Sequence, residues 1–335
     1  MTDVAAPQSS DRIRLEGSDV AVPPLGVGTW AWGDKSTWGM GGYDTSFSEE
    51  TIREAWEACL QAGVVLFDTA EIYGSGESER IIGRLLARDP SVRQRVIIAT
   101  KFMPSPWKLA VTSALVSAAR ASRDRLGIET IDLYQIHGPV SLRSHEALAD
   151  ALAAANSEGL VKAVGVSNYS AKETRSMDAA LRKRGPRLAT NQIEFSLLRT
   201  VPEKGGLLEC CRELGVVPLA YSPIGQGRLT GKYSAANPPP GKRTFSAHPM
   251  EQVDAIVSVL RRIGAAHDDR TPSQVALAWI IAKGAVPIPG AKNRRQAEEN
   301  AGALGWRMDD AELAELDAIA LYGRRNLSSR FWQHG

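Results

Sequence analysis

The sequence predicts an α/β chain of repeated strand–helix units around a parallel sheet, and two observations carry that prediction. Short unbroken apolar runs read as strands buried on both faces. They alternate with helical periodicity, and successive strand starts lie about 27 to 39 residues apart, as a repeated βα unit requires. The second observation is chemical. Residues 64–67 stop at Asp68, with Tyr73 in the following loop ahead of Gly74 and Gly76; residues 96–100 run into Lys101; residues 131–136 run into His137. An Asp, a Tyr, a Lys and a His thus gather at one end of three successive strands. In a parallel barrel that end is the active-site face.

Taken in order, residues 13–22 alternate around Gly17-Ser18-Asp19, the pattern of a hairpin. Residues 25–30 form the first strand. A long glycine-rich loop over 32–45 carries Trp32, Trp38 and Tyr43, aromatics suited either to lining a pocket or to packing the loop down. Ser48 caps a helix bearing Ile52, Ala55, Trp56 and Cys59 at helical spacing. The strand at 64–67 precedes a helix over 77–87, the strand at 96–100 a helix over 107–126, and the strand at 131–136 a helix over 144–156. Strand five covers 161–167 before a helix over 172–184. Strand six covers 188–193 before a helix over 206–214, and strand seven covers 216–221.

The rhythm breaks once, before strand eight at 285–289. A Pro/Gly-rich loop over 225–249 intervenes, then a helix marked by Val253, Ile256, Val257, Leu260 and Ile263, and another opened by Pro272. Helices over 295–304 and 309–319 close the pattern. No Pro/Ser-rich linker interrupts the series, so one domain is expected, with a core at about 13–319 and tails at 1–12 and 322–335. The second tail folds over the barrel mouth or stays disordered; its sequence does not choose.

Composition bounds the function. The 335 residues are 43% hydrophobic and 23% charged, as in an ordinary globular protein. A net charge of +2 without a long basic run argues against nucleic acid. Residues 1–10 lack an apolar core, so no signal peptide is expected, and no stretch approaches the roughly 18 apolar residues of a membrane span. Cys59, Cys210 and Cys211 form no disulfide framework or metal-ligand spacing and suit a reducing cytoplasm.

The four strand-end residues make sense together. A free phenol has a pKa of about 10, too high for effective acid–base work near neutrality. A lysine beside Tyr73 is expected to draw that pKa down. Asp68 pairs with Lys101, and His137 hydrogen-bonds a substrate oxygen or relays a proton. Such a set suits protonation of a carbonyl oxygen.

The run Phe67-Asp68-Thr69-Ala70-Glu71-Ile72-Tyr73-Gly74, the strand-ending Lys101 and His137, Gly165-Val166-Ser167-Asn168 and Asn191-Gln192 together resemble the aldo-keto reductase family, in order and spacing, over about residues 15–319. The resemblance implies a (β/α)8 TIM barrel, its bottom capped by the hairpin, that binds NADPH without a Rossmann domain and reduces aldehydes or ketones by hydride transfer. Asp68, Tyr73, Lys101 and His137 would be the tetrad, with Tyr73 as general acid. Ser167, Asn168 and Gln192 would hold the nicotinamide carboxamide, and Tyr221 would stack on its ring. Alone, such polar residues at strand ends are more often caps or turn formers.

The resemblance extends to the loop Ser222-Pro223-Ile224-Gly225-Gln226-Gly227-Arg228-Leu229, which would wrap the pyrophosphate, with Lys232 nearby. Lys232, Lys242 and Arg243 suit phosphate contact and a solvated charged face equally well. Gly290, Lys292, Gln296, Glu299 and Asn300 match the pattern after strand eight. One branch of the family has Lys-Ser where this chain has Gly290-Ala291, so the 2′-phosphate contact falls to Lys292 or its neighbours. Trp30, Trp32, Trp38 and Trp107 are the candidate substrate-pocket residues, and the segment from Gly33 to Trp38 resembles pyridoxal-reductase-like members.

His145, His248, His267 and His334 match no motif and read as surface or structural. Glu71 with Asp68 would make a glycosidase pair, which the Tyr73–Lys101 pairing argues against. Redox-sensing regulatory subunits in the family can retain the tetrad, which keeps that role as the alternative to an enzyme.

Overall fold

The computed structural model describes residues 6–33, 48–239, 248–323 and 331–335. A hairpin of β1 (Ile13–Arg14) and β2 (Ala21–Val22) pairs Ile13 with Val22. Eight parallel strands follow: β3 (Gly26–Gly28), β4 (Leu66–Asp68), β5 (Ile97–Phe102), β6 (Ile131–Ile136), β7 (Val161–Ser167), β8 (Leu188–Glu194), β9 (Val217–Tyr221) and β10 (Val286–Pro287). Each pairs with the next in chain order. The barrel closes where Gly28 N donates to Pro289 O at 3.0 Å and Gly28 bridges Gly290. A Cβ on Gly28 would lie 2.9 Å from Ile288 O, so the seam requires glycine there.

Two apolar layers hold the barrel. Leu66, Ala99, Leu133, Ala163, Leu219, Val286 and Ile288 cluster with Leu15, Val20 and Val22 of the hairpin, which plugs the bottom. The larger cluster, including Phe67, Ile98 and Tyr134, lies with residues of the surrounding helices. Side chains alternate along a strand with period two. Two positions beyond Leu66, Ala99 and Leu133 stand Asp68, Lys101 and Gln135, one layer nearer the C-terminal mouth. The polar floor of the site is thus the next layer of the barrel interior.

The outer helices begin at side-chain caps where the sequence offers them. Ser48 caps Glu49–Gln61, Ser144 caps His145–Ser157, Ser170 caps Ala171–Arg182 and Thr271 caps Pro272–Ala282. Three expectations are corrected and one element is added. The helix expected from 107 starts at Val111, because Lys108 Nζ donates to Met103 O at 2.9 Å and Ser105 N bonds the same carbonyl, folding the entry into turns. Trp30, expected to end the first strand, opens a helical turn, Trp30–Gly33. Before Leu207–Leu214 the chain makes a separate turn of helix, Val201–Lys204. The loop expected over 225–249 begins as a 3-10 segment, Gly225–Thr230. Among the described residues no helix is long and apolar enough to cross a membrane.

Candidate active site

Asp68, Lys101 and His137 come from the ends of β4, β5 and β6, and Tyr73 from the loop after β4; the structure brings all four together. Lys101 Nζ donates to Asp68 Oδ2 at 2.6 Å and to Thr69 O at 2.7 Å, and lies 3.4 Å from Tyr73 OH. The Tyr73 and His137 rings meet edge to face at 5.6 Å. Asp68 Oδ1 accepts from Gln192 Nε2 at 2.7 Å and from Gln135 Nε2 at 3.4 Å. Thr190 Oγ1 in turn donates to Gln135 Oε1 at 3.0 Å, across the bare backbone of Gly165.

All four residues are buried, and burial sets their protonation. It pushes the Tyr73 phenol well above its usual value, with the Asp68 charge adding to the shift. The net direction is thus opposite to the expected lowering, although the Lys101 ammonium lies 3.4 Å from the hydroxyl: burial dominates. Burial, then the Lys101 charge, lowers His137 well below the usual imidazole value and keeps it neutral. Its buried Nδ1 makes no hydrogen bond among the described residues. Burial also raises the Asp68 carboxyl and lowers the Lys101 ammonium, while each partner's charge pulls the other back. With so many hydrogen bonds the ionised pair is well compensated.

At the ends of β7 to β9 a second polar set converges. Ser167 Oγ donates to Gln192 O at 2.9 Å, Asn168 Nδ2 to Ser167 Oγ at 3.1 Å, and Tyr221 OH to Asn168 Oδ1 at 2.9 Å. Asn168 holds a left-handed φ of +66°, an unusual conformation for a side-chain-bearing residue. Past Tyr221, positive φ recurs at Ser222, Gly225, Gln226 and Gly227, and left-handed backbone of this kind is what anion-binding nests are built from. Pro223 is buried in it and Ile224 packs on the core. Arg228 is buried with Nη1 on Gly225 O at 3.2 Å, while Lys232 is exposed with Nζ over the Tyr233 ring.

After β10, Lys292 N donates to Gln296 Oε1 at 2.9 Å and Asn300 Nδ2 to Gly290 O at 3.2 Å, so Gln296 and Asn300 shape this turn. Glu299 faces Thr271 and Arg295 instead. Of the tryptophans, Trp30 stacks on Tyr73 with centroids 5.5 Å apart. Trp32 is corrected from pocket to core: it is buried against Phe67, its indole N–H on Ala291 O at 2.8 Å. Trp107, 78% exposed, stands outside this contact set. Trp38, Lys242 and Arg243 lie outside the described residues. Glu71 accepts from Met103 N at 2.7 Å, which gives it a loop-holding role.

Sequence reasoning missed Gln135 and Thr190, whose signal was a polar residue at an inward position of an apolar strand. It also missed Trp332, with its ring 5.4 Å from His137, and Gln333, bonded to Tyr221 at 2.8 Å; nothing local marks either. A groove of about 690 Å³ bordered by Val111, Val116, Arg120 and Ala147 contains none of the tetrad.

The model of the aldo/keto reductase family matches residues 24–321. A chloroplastic pyridoxal reductase of Arabidopsis thaliana is 37% identical over 96% of this chain and 89% of its own length. A glycerol dehydrogenase structure from Gluconobacter oxydans superposes with a TM-score of 0.78 at 28% identity, covering 95% of this chain and 98% of that one. An aldo/keto reductase from Klebsiella pneumoniae, solved in complex with NADP and acetate, matches with a TM-score of 0.72 at 25% identity over 96% and 98% of the two chains.

Proposed function

The chain belongs to the aldo/keto reductase family and is an NADP-dependent oxidoreductase; from that premise we propose that it reduces an aldehyde or ketone to an alcohol, with Tyr73 as general acid. The observation that carries this reading is the buried Lys101–Asp68 pair, 2.6 Å apart, with Lys101 Nζ also 3.4 Å from the Tyr73 hydroxyl.

The donor set fits the cofactor. Ser167, Asn168 and Gln192 gather hydroxyl and amide groups beside Tyr221, as a nicotinamide carboxamide requires. The left-handed residues Ser222, Gly225, Gln226 and Gly227 suit a pyrophosphate, and Gly290, Lys292, Gln296 and Asn300 the adenosine end. A bound reduced nicotinamide supplies the hydride for the carbonyl carbon. Tyr73 OH hydrogen-bonds the carbonyl oxygen and gives it the proton. Lys101 stabilises the phenolate left behind, and Asp68 keeps Lys101 in place. Neutral His137 orients the carbonyl oxygen. General acid catalysis of this kind is worth roughly 10²–10⁴-fold.

Trp30 on Tyr73 and Trp332 on His137 give the mouth two indole walls, which suit a flat aromatic aldehyde. Similarity to a pyridoxal reductase puts pyridoxal first among candidate substrates. The free, buried Cys59, Cys210 and Cys211 suit a reducing cytoplasm. The test is calorimetric titration with NADPH, followed by NADPH consumption over a panel of aldehydes and ketones that includes pyridoxal. Saturable binding and turnover are expected; a protein that binds no NADPH contradicts the reading.

A further inference from the structure

Gln333 belongs to a segment distant in sequence from every strand, yet it is buried against the ends of β8 and β9. Its Nε2 donates to Tyr221 OH at 2.8 Å and also to the Glu194 carboxylate. The rest of the segment is pinned around it. The Trp332 ring meets His137, His334 N donates to Asn168 O at 3.0 Å, and Arg199 Nη2 donates to Gly335 O at 2.8 Å.

The hydrogen bonds here have a direction. A carboxylate accepts and cannot donate, and Glu194 lies 3.6 Å from the Arg199 guanidinium, both buried. Gln333 must therefore turn its NH2 group toward Glu194, and the same NH2 reaches Tyr221. Having accepted this bond, Tyr221 points its own proton at Asn168 Oδ1, 2.9 Å away. The Asn168 amide is thereby oriented with Nδ2 on Ser167 Oγ, and Ser167 donates onward to Gln192 O. A side-chain amide alone could face either way. From Gln333 onward every link, Gln333 to Tyr221 to Asn168 to Ser167 to Gln192 O, donates in the same direction, and aligned links polarise one another.

We propose that Gln333 is a positioning residue for the nicotinamide pocket: its donor group, aimed by Glu194, sets through Tyr221 which way the Asn168 amide and Ser167 hydroxyl face the carboxamide. This rests on the reading of Asn168 and Ser167 as carboxamide contacts. It makes the 331–335 segment part of cofactor recognition as well as a wall beside His137.

The test is the polarity of the side chain at 333. Gln333→Glu keeps the length but can only accept when ionised, Gln333→Met makes no such bond, and Gln333→Lys can only donate. NADPH affinity by calorimetry should fall about 10-fold in the Glu and Met variants, the worth of one hydrogen bond. Turnover at saturating NADPH should stay within about 3-fold of wild type in both. Gln333→Lys should bind NADPH nearly as wild type does. In a Tyr221→Phe background, Gln333→Met should cost nothing further. Met tolerated better than Lys, or losses that add in the Tyr221→Phe background, would show mere packing and overturn the proposal. Melting curves identify any variant that fails to fold, and the Lys–Glu comparison decides if Met does. A wild type that binds no NADPH brings down the functional reading as well; a wild type that binds it, with variants that bind equally well, brings down this inference alone.

Discussion

Gln192 Nε2 donates to Asp68 Oδ1 at 2.7 Å while Lys101 Nζ holds Oδ2 of the same carboxylate at 2.6 Å. Asp68 therefore ties the Lys101–Tyr73 cluster to β8, the strand that carries Gln192. Ser167 faces Gln192 in the β7–β8 register, and its hydroxyl donates to Gln192 O. One buried carboxylate joins two halves of the site.

Removing its cation should be costly. Lys101→Met leaves Asp68 in the barrel with only neutral donors, and breaking a buried pair costs about 3–5 kcal/mol. Adding Asp68→Asn to that variant should recover part of the loss, because the stranded charge goes with it. Urea unfolding of the two single variants and the double variant checks this; strictly additive losses would contradict the coupling. Turnover should collapse in Lys101→Met.

His137 carries a pH signature. Its folded pKa lies well below the ordinary 6.5, so below about 6.5 the unfolded chain takes up a proton that the folded chain refuses. The stability due to this group is present above that pH and drains away as pH falls. His137→Gln should lose less stability between about pH 7 and pH 5, measured by urea unfolding at both pH values. Equal losses in variant and wild type would mean that His137 is not held neutral.

Gly165 sits where β7 shifts register against β8, and a Cβ there would lie 2.1 Å from Thr190 Oγ1. Gly165→Ala should cost about 1–3 kcal/mol by overpacking and disturb Gln135 beside Asp68. Thr190→Ala in the same chain removes the clashing atom and should restore part of the loss. A harmless Gly165→Ala would mean that this layer is looser than described.

Cofactor preference tests the turn after β10. No acidic residue lies in 290–294 to select a bare ribose hydroxyl pair. A charge-assisted bond contributes roughly 1.5–3 kcal/mol, so each good contact to the 2′-phosphate favours NADPH by about 10- to 100-fold. Lys292→Ala should weaken NADPH far more than NADH, and salt should erode the preference where the site is exposed. Wild-type protein that binds both equally would sink this assignment.

How far the sequence could be read follows from where each signal lives. β6 and β7 have the bounds that their residue runs predict, and the helix after Ser48 begins where its cap stands. These are local signals of period, cap and breaker. Tyr73, Lys101 and His137 were visible because chemistry follows directly on an apolar run. Trp32 was misplaced because its fate depends on Ala291, on the far side of the seam. Trp332 and Gln333 reach the site only through tertiary docking, and nothing in a segment without periodicity announces that. The Tyr73 pKa was misjudged for a related reason: a neighbouring ammonium is readable from the sequence, but the burial that overrides it is not.

The proton donor is the centre of this account, and Tyr73→Phe tests it most directly. The substitution removes one hydroxyl and leaves the ring on Trp30 and against His137. Single-turnover carbonyl reduction by the NADPH-loaded variant should be slower by roughly 10²–10⁴-fold, with NADPH affinity by calorimetry close to wild type. A variant that reduces the carbonyl at the wild-type rate would remove Tyr73 as the acid and contradict the mechanism.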